Sequence, residues 1–173
     1  MNSTRRQLLL GLATLVPAVS LLPGSLLAAE PAPMETLPLV LHSDQGPHHL
    51  EVEVALTASQ RSRGLMDRDH LDPGAGMLFL YGGLQPSRNG FWMYRTRLPL
   101  DIAFIDENGR IVSLHRMHPC ESSAPGDCPV TRPDASYRAA LEVNAGYFED
   151  QGIKVGDCVS WPGSGEHCAG DPS

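Results

Sequence analysis

Gly90-Phe-Trp-Met-Tyr-Arg-Thr-Arg-Leu-Pro-Leu-Asp-Ile-Ala-Phe-Ile-Asp106 sets the architecture of this chain. Period 2 along its first part places Trp92 and Tyr94 on one strand face and Phe91 and Met93 on the other. Leu100–Ile105 follows as a second strand, apolar except for Asp101. Asp106-Glu107-Asn108-Gly109 then reads as a hairpin turn, its Asn-Gly favouring positive backbone angles, and Arg110–Met117 returns as the partner strand. Upstream, Asp72–Gly76 breaks the chain before the apolar run Met77–Tyr81, and residues 82–90 form a loop. His49–Leu56 alternates, so Leu50, Val52, Val54 and Leu56 share a buried face while Glu51 and Glu53 meet water. Thr57-x-x-Gln60 is a capping box opening a short helix. Downstream come a strand at 139–144, a helical turn at 146–151 and a last strand at 154–159. The expectation is a mostly β chain (β-rich α+β), a small single-domain barrel or sandwich with one or two short helices.

Arg5-Arg6, the apolar run to Leu22 and the small residues ending at Ala28-Ala29 make residues 1–29 a signal peptide. The arginine pair resembles a twin-arginine export signal, with the general secretory route as the alternative. A retained anchor is a third reading that Pro17, Pro23 and Gly24 weaken, since a span needs about 20 apolar residues. Residues 30–38 then form a Pro-rich linker, 39–161 a single β-rich domain and 162–173 a C-terminal tail. The product is expected to be periplasmic or secreted, with no stable membrane span after cleavage. Cleavage lowers the 13 basic residues by Arg5 and Arg6 to 11, against 20 acids, a formal charge of −9 (11 − 20). An acidic surface with a single lysine, Lys154, repels phosphate backbones, so no nucleic-acid partner is expected.

Cys120, Cys128, Cys158 and Cys168 follow an export signal, so disulfides are the default. The local pairing Cys120–Cys128 and Cys158–Cys168 is favoured, because each pair brackets a bendable Gly/Pro/Ser loop. The rival is a metal set of His115, His118, Cys120 and Cys128. On a strand His115 and His118 point to opposite faces, so no metal site is expected. Met66, Met77, Met93 and Met117 read as core filler rather than copper ligands. No cofactor is expected.

Several blocks together resemble the domain-of-unknown-function family 192 over residues 45 to 160. They are Arg63-Gly64-Leu65-Met66, Gly76-Met77-Leu78-Phe79, Phe91-Trp92-Met93 with Thr96, Pro99-Leu100-Asp101, Pro119-Cys120 with Cys128, Leu141–Gly146, and Val155-Gly156-Asp157. The resemblance implies a compact, mostly β fold, often behind a signal sequence, and transfers no activity. Where that family commonly has Lys or Arg and then Asn before the Thr, Tyr94 and Arg95 stand here.

The ligand-binding candidates are Trp92, Tyr94, Arg95 and Asp101, and the catalytic candidates are Asp101 and Glu142. An aromatic beside polar groups suits a small polar ligand such as a sugar ring, although Trp92 is read first as a core residue. A carboxylate inside an apolar strand requires a partner, and Arg95 or Arg97 is the expected one for Asp101. The expectation is therefore an uncharacterised exported module, non-catalytic, that binds a small polar ligand, an envelope glycan or a protein partner. The alternative is a hydrolase of glycan-type substrates in which Asp101 and Glu142 converge across a cleft.

Overall fold

Apolar alternation and Gly/Pro punctuation resolve into nine strands and two helices in the computed structural model, which describes residues 34–165. The signal peptide, the start of the linker and Cys168 lie outside the described residues. In chain order the elements are β1 Thr36–Ser43, β2 Gly46–Ala55, α1 Ala58–Arg63, β3 Ala75–Gln85, β4 Phe91–Trp92, β5 Leu100–Ile105, β6 Ile111–Met117, β7 Val130–Thr131, β8 Tyr137–Asn144, α2 Tyr147–Asp150 and β9 Cys158–Ser160. Seven strands form one sheet in the order β6-β5-β8-β3-β2-β1-β9, and β4 and β7 form a separate ribbon. Every pairing in the large sheet is antiparallel except β2 with β3, which the α1 crossover makes parallel. The sheet curls until its edges meet at one end, through an Arg110↔Cys158 bridge and a 2.9 Å bond from the Ile111 N–H to the Asp157 carbonyl. Joined there, the curled sheet is a half-barrel, in keeping with the small mostly β fold expected from the sequence.

Both faces of the sheet are buried. Leu39, Leu41, Val52, Ala103, Leu141 and Val143 pack on one face, while Met77, Phe79, Leu100, Ile102, Phe104 and Ala140 pack on the other. That explains why all six residues of β5 are buried. The ribbon closes the second face by inserting Phe91, whose ring meets Phe79 and Phe104 edge-on at 4.9 and 5.6 Å. Such pairs add about 0.5–1.5 kcal/mol each beyond area burial.

Local signals decide the turns. Thr57 Oγ1 accepts from the Gln60 N–H at 3.2 Å and Gln60 Oε1 accepts from the Thr57 N–H at 2.9 Å, the reciprocal capping box expected of the sequence. At 106–109 the hairpin forms, but only Gly109 has positive φ, and Asp106 Oδ1 organises the turn by accepting from the Asn108 and Arg110 N–H groups, both at 2.8 Å. A disulfide joins Cys120 to Cys128, with Cα atoms 5.6 Å apart. Closing so short a loop stabilises by about 2–3 kcal/mol. The same bond removes both thiolates from the rival metal set. Cys158 is disulfide-bonded.

Several boundaries differ from expectation, among them the last strand, which is Cys158–Ser160 and not 154–159. β1 starts at Thr36, inside the expected linker, because Pro38 is tolerated where its missing N–H breaks no required ladder bond. β3 runs through Gly82-Gly83 to Gln85 rather than ending at Tyr81. Leu56 lies past the end of β2 and is 52% exposed, so it does not share the buried face of Leu50, Val52 and Val54. Two-residue β7, invisible as a pattern, exists because β4 needs a partner.

Candidate functional site

The register of β5 against β8 pairs Asp101 with Val143 and Ile102 with Glu142. Because side chains alternate, Asp101 and Glu142 project from opposite faces of the sheet. They share no cleft, and the convergent pair that a two-carboxylate hydrolase needs is not formed.

Asp101, 4% exposed, is satisfied by the protein itself. Its Oδ1 accepts from Arg116 Nε at 2.8 Å and its Oδ2 from the Gly146 N–H at 2.8 Å. The expected partners Arg95 and Arg97 are elsewhere, bonded to Asp67 and Asp69. Arg116 stands directly opposite Asp101 on β6. The hairpin held that signal, since pairing outward from Asn108-Gly109 brings 101 against 116. Arg116, Asp101, His115 and Glu149 line a depression of about 240 Å³ in which Arg116 also reaches Glu149 at 3.5 Å, so its acids and its base satisfy one another.

Glu142 differs. It is 4% exposed, and among the described residues no donor or acceptor reaches its carboxyl. Burial alone pushes its pKa up to about 8. The carboxyl is not sealed in apolar packing but faces a cavity of about 30 Å³, room for a water-sized polar group, lined also by Arg61, Arg63, Leu65, Trp92 and Thr96. A second cleft of about 370 Å³ shares Arg61, Ser62, Phe91 and Trp92 as walls and adds Tyr81 and Gly90. Small cavity and wide cleft are thus neighbours, together called the recess below, with Glu142 lining the small one.

Trp92 forms the rim. The expectation that it is a core residue is overturned: Phe91 and Met93 take the buried face and Trp92 is 41% exposed. Tyr94, from the same face, packs beside it with ring centroids 5.5 Å apart and donates to the Ser123 carbonyl at 3.4 Å, inside the disulfide loop. Arg61 lies over the Tyr81 ring at 4.7 Å and donates to the Leu80 carbonyl at 3.0 Å. Tyr81 is itself held neutral by burial.

A clamp holds the two walls together. Arg95 (φ 56°) and Asp67 (φ 63°) are the only non-glycine residues with positive φ among those described. The Asp67 N–H donates to the Arg95 carbonyl at 2.8 Å, and the Arg95 guanidinium grips the Asp67 carboxylate at 2.7 and 3.0 Å. Asp67 directly follows the wall Gly64-Leu65-Met66, and Arg95 directly precedes Thr96. Arg95 therefore positions the recess and does not line it. Left-handed backbone costs a long side chain about 1 kcal/mol, whereas Asn tolerates it. Arg95→Asn is accordingly expected to leave stability within about 0.5 kcal/mol of the parent, one gain offsetting one lost pair, and Arg95→Val to cost about 2–3 kcal/mol because a β-branched residue fits there worst. Urea midpoints of the two variants check this.

The family model DUF192, described as "Uncharacterized ACR", matches residues 39–161. The chain belongs to the DUF192 family. A protein from Sinorhizobium meliloti 1021, described as a candidate transcription regulator, is 33% identical with a TM-score of 0.69, the match covering 78% of this chain and 99% of that one. A protein of unknown function from Novosphingobium aromaticivorans DSM 12444 is 31% identical with a TM-score of 0.64, covering 78% of this chain and 94% of that one. No curated protein matches the chain.

The DUF192 blocks named from the sequence now acquire separate duties. Asp101 holds Gly146, Asn144 donates to the Leu71 carbonyl at 2.9 Å, and Asp157 accepts from the Lys154 N–H at 2.9 Å; these are structural. Arg63-Gly64-Leu65-Met66, Phe79, Phe91-Trp92, Thr96 and Glu142 all line the small cavity. Arg61, Arg63 and Thr96 were absent from the sequence-derived candidates. Arg63 and Thr96 were visible within the DUF192 blocks, whereas nothing in the sequence marks Arg61.

Proposed function

We propose that this DUF192 chain works outside the cytoplasm as a binding module, taking a small polar ligand in the recess between Trp92 and Glu142. One observation carries the reading: a carboxyl that is 4% exposed, with no hydrogen-bond partner among the described residues, lines a cavity together with an exposed tryptophan. Burying such a group costs stability, and a chain that keeps it gains something other than stability from it. The Arg5-Arg6 leader supports the extracytoplasmic setting. A bound ligand would place one polar group at Glu142 and an apolar ring face on Trp92, with the wide cleft enclosing the remainder.

Thermal-shift screening of the processed protein against sugars, nucleotides and amino acids tests this. At least one class is expected to raise Tm by several degrees, and the rise is expected to vanish in Trp92→Ala and Glu142→Leu. A ligand that stabilises both variants as well as the parent would place binding elsewhere.

A further inference from the structure

The charges of the recess are opposite to those of the chain. With 20 acids against 13 basic residues, the chain nevertheless lines the small cavity and wide cleft with two guanidinium groups, Arg61 and Arg63, and one acid, Glu142. Arg61 donates to the carbonyls of Leu56 and Leu80, and no acid pairs with it or with Arg63 among the described residues. Glu142, kept protonated at neutral pH by its burial, contributes a hydroxyl donor and no charge. The recess is therefore net cationic and ends in a neutral donor.

Charge assigns the contacts. An anion is held by the guanidinium groups of Arg61 and Arg63, and the acid Glu142, which lines the same small cavity, takes a neutral acceptor. The cleft of about 370 Å³ has the Trp92 indole as a wall on which a saturated ring packs its C–H face. Resting on the binding reading above, we infer that the ligand is an acidic N-acylated sugar, with its ring on Trp92, its carboxylate at Arg61 and Arg63, and its acyl carbonyl accepting from Glu142. The three contacts are separable, because each rests on a different part of the ligand.

Titration calorimetry of the processed protein at pH 6.5 with N-acetylmuramic acid, N-acetylglucosamine and glucuronic acid is the test. N-acetylmuramic acid is expected to bind at least tenfold tighter than either other sugar. Arg63→Ala is expected to remove most of its advantage over N-acetylglucosamine, and Glu142→Leu most of its advantage over glucuronic acid. Equal affinity for the acidic and neutral N-acetyl sugars, or an advantage indifferent to Arg63→Ala, overturns the assignment of charge. If no sugar binds while another class gives a Trp92-dependent thermal shift, the sugar inference fails and the binding site stands. If no class gives a shift that depends on Trp92, both fail.

Discussion

Replacing Glu142 by Gln is expected to stabilise the protein at pH 8 by on the order of 4–5 kcal/mol and to flatten its dependence on pH. The folded carboxyl titrates near 8 and the unfolded one near 4.5. Between these values the folded chain holds a proton that the unfolded chain has released, so each pH unit removes about 1.4 kcal/mol of stability. A carboxyl with a raised pKa leaves stability intact below pH 4.5, erodes it as the pH climbs to about 8, and changes nothing more above that. The groups facing Glu142 do not alter the sign. Arg61 and Arg63 come from the α1 side, and Tyr81 on β3, its pKa raised by burial, stays neutral. Gln has the same shape and no proton to lose. Urea unfolding of both proteins from pH 5 to 9 gives the measurement, and parallel profiles would refute the burial argument.

Gly76→Ala is expected to be the most damaging small substitution in the sheet, costing about 3 kcal/mol or more. A Cβ at this position would lie 2.7 Å from the Glu142 carbonyl and 3.2 Å from both Val143 Cγ1 and Val52 Cγ1. Two of the neighbours are β-branched side chains packed in the core and the third is backbone, so none yields without moving β8 or β2. The predicted loss is read as a drop in urea midpoint. Gly82→Ala, where an added Cβ meets nothing within 4 Å, is the matched control and is expected to change stability little.

The strands that the sequence revealed were those with a periodic signature. β2 alternated, β5 was a bounded apolar run, and the Thr57 box announced α1. β1 and β7 were hidden, one by Pro38 and the other by being two residues long, too short for any period to register. For the site, Asp101 and Glu142 looked alike as acids within apolar strands, and nothing local separates them. Only cross-strand register does so, by turning one toward Arg116 and the other toward a cavity. Trp92 differs for the opposite reason: its size argues for burial, but strand alternation has room for only one of two side-chain pairs inside, and Phe91-Met93 takes it.

The clamp between Asp67 and Arg95 has a genetic consequence. Two codons whose residues stand 28 positions apart specify one backbone geometry, each occupying an unfavourable dihedral that the other's grip makes tolerable. Drift at codon 95 to a residue at ease in the left-handed region, such as asparagine, leaves the turn standing, whereas drift to a β-branched residue strains the backbone and removes the ion pair at once, so each codon narrows what the other can become.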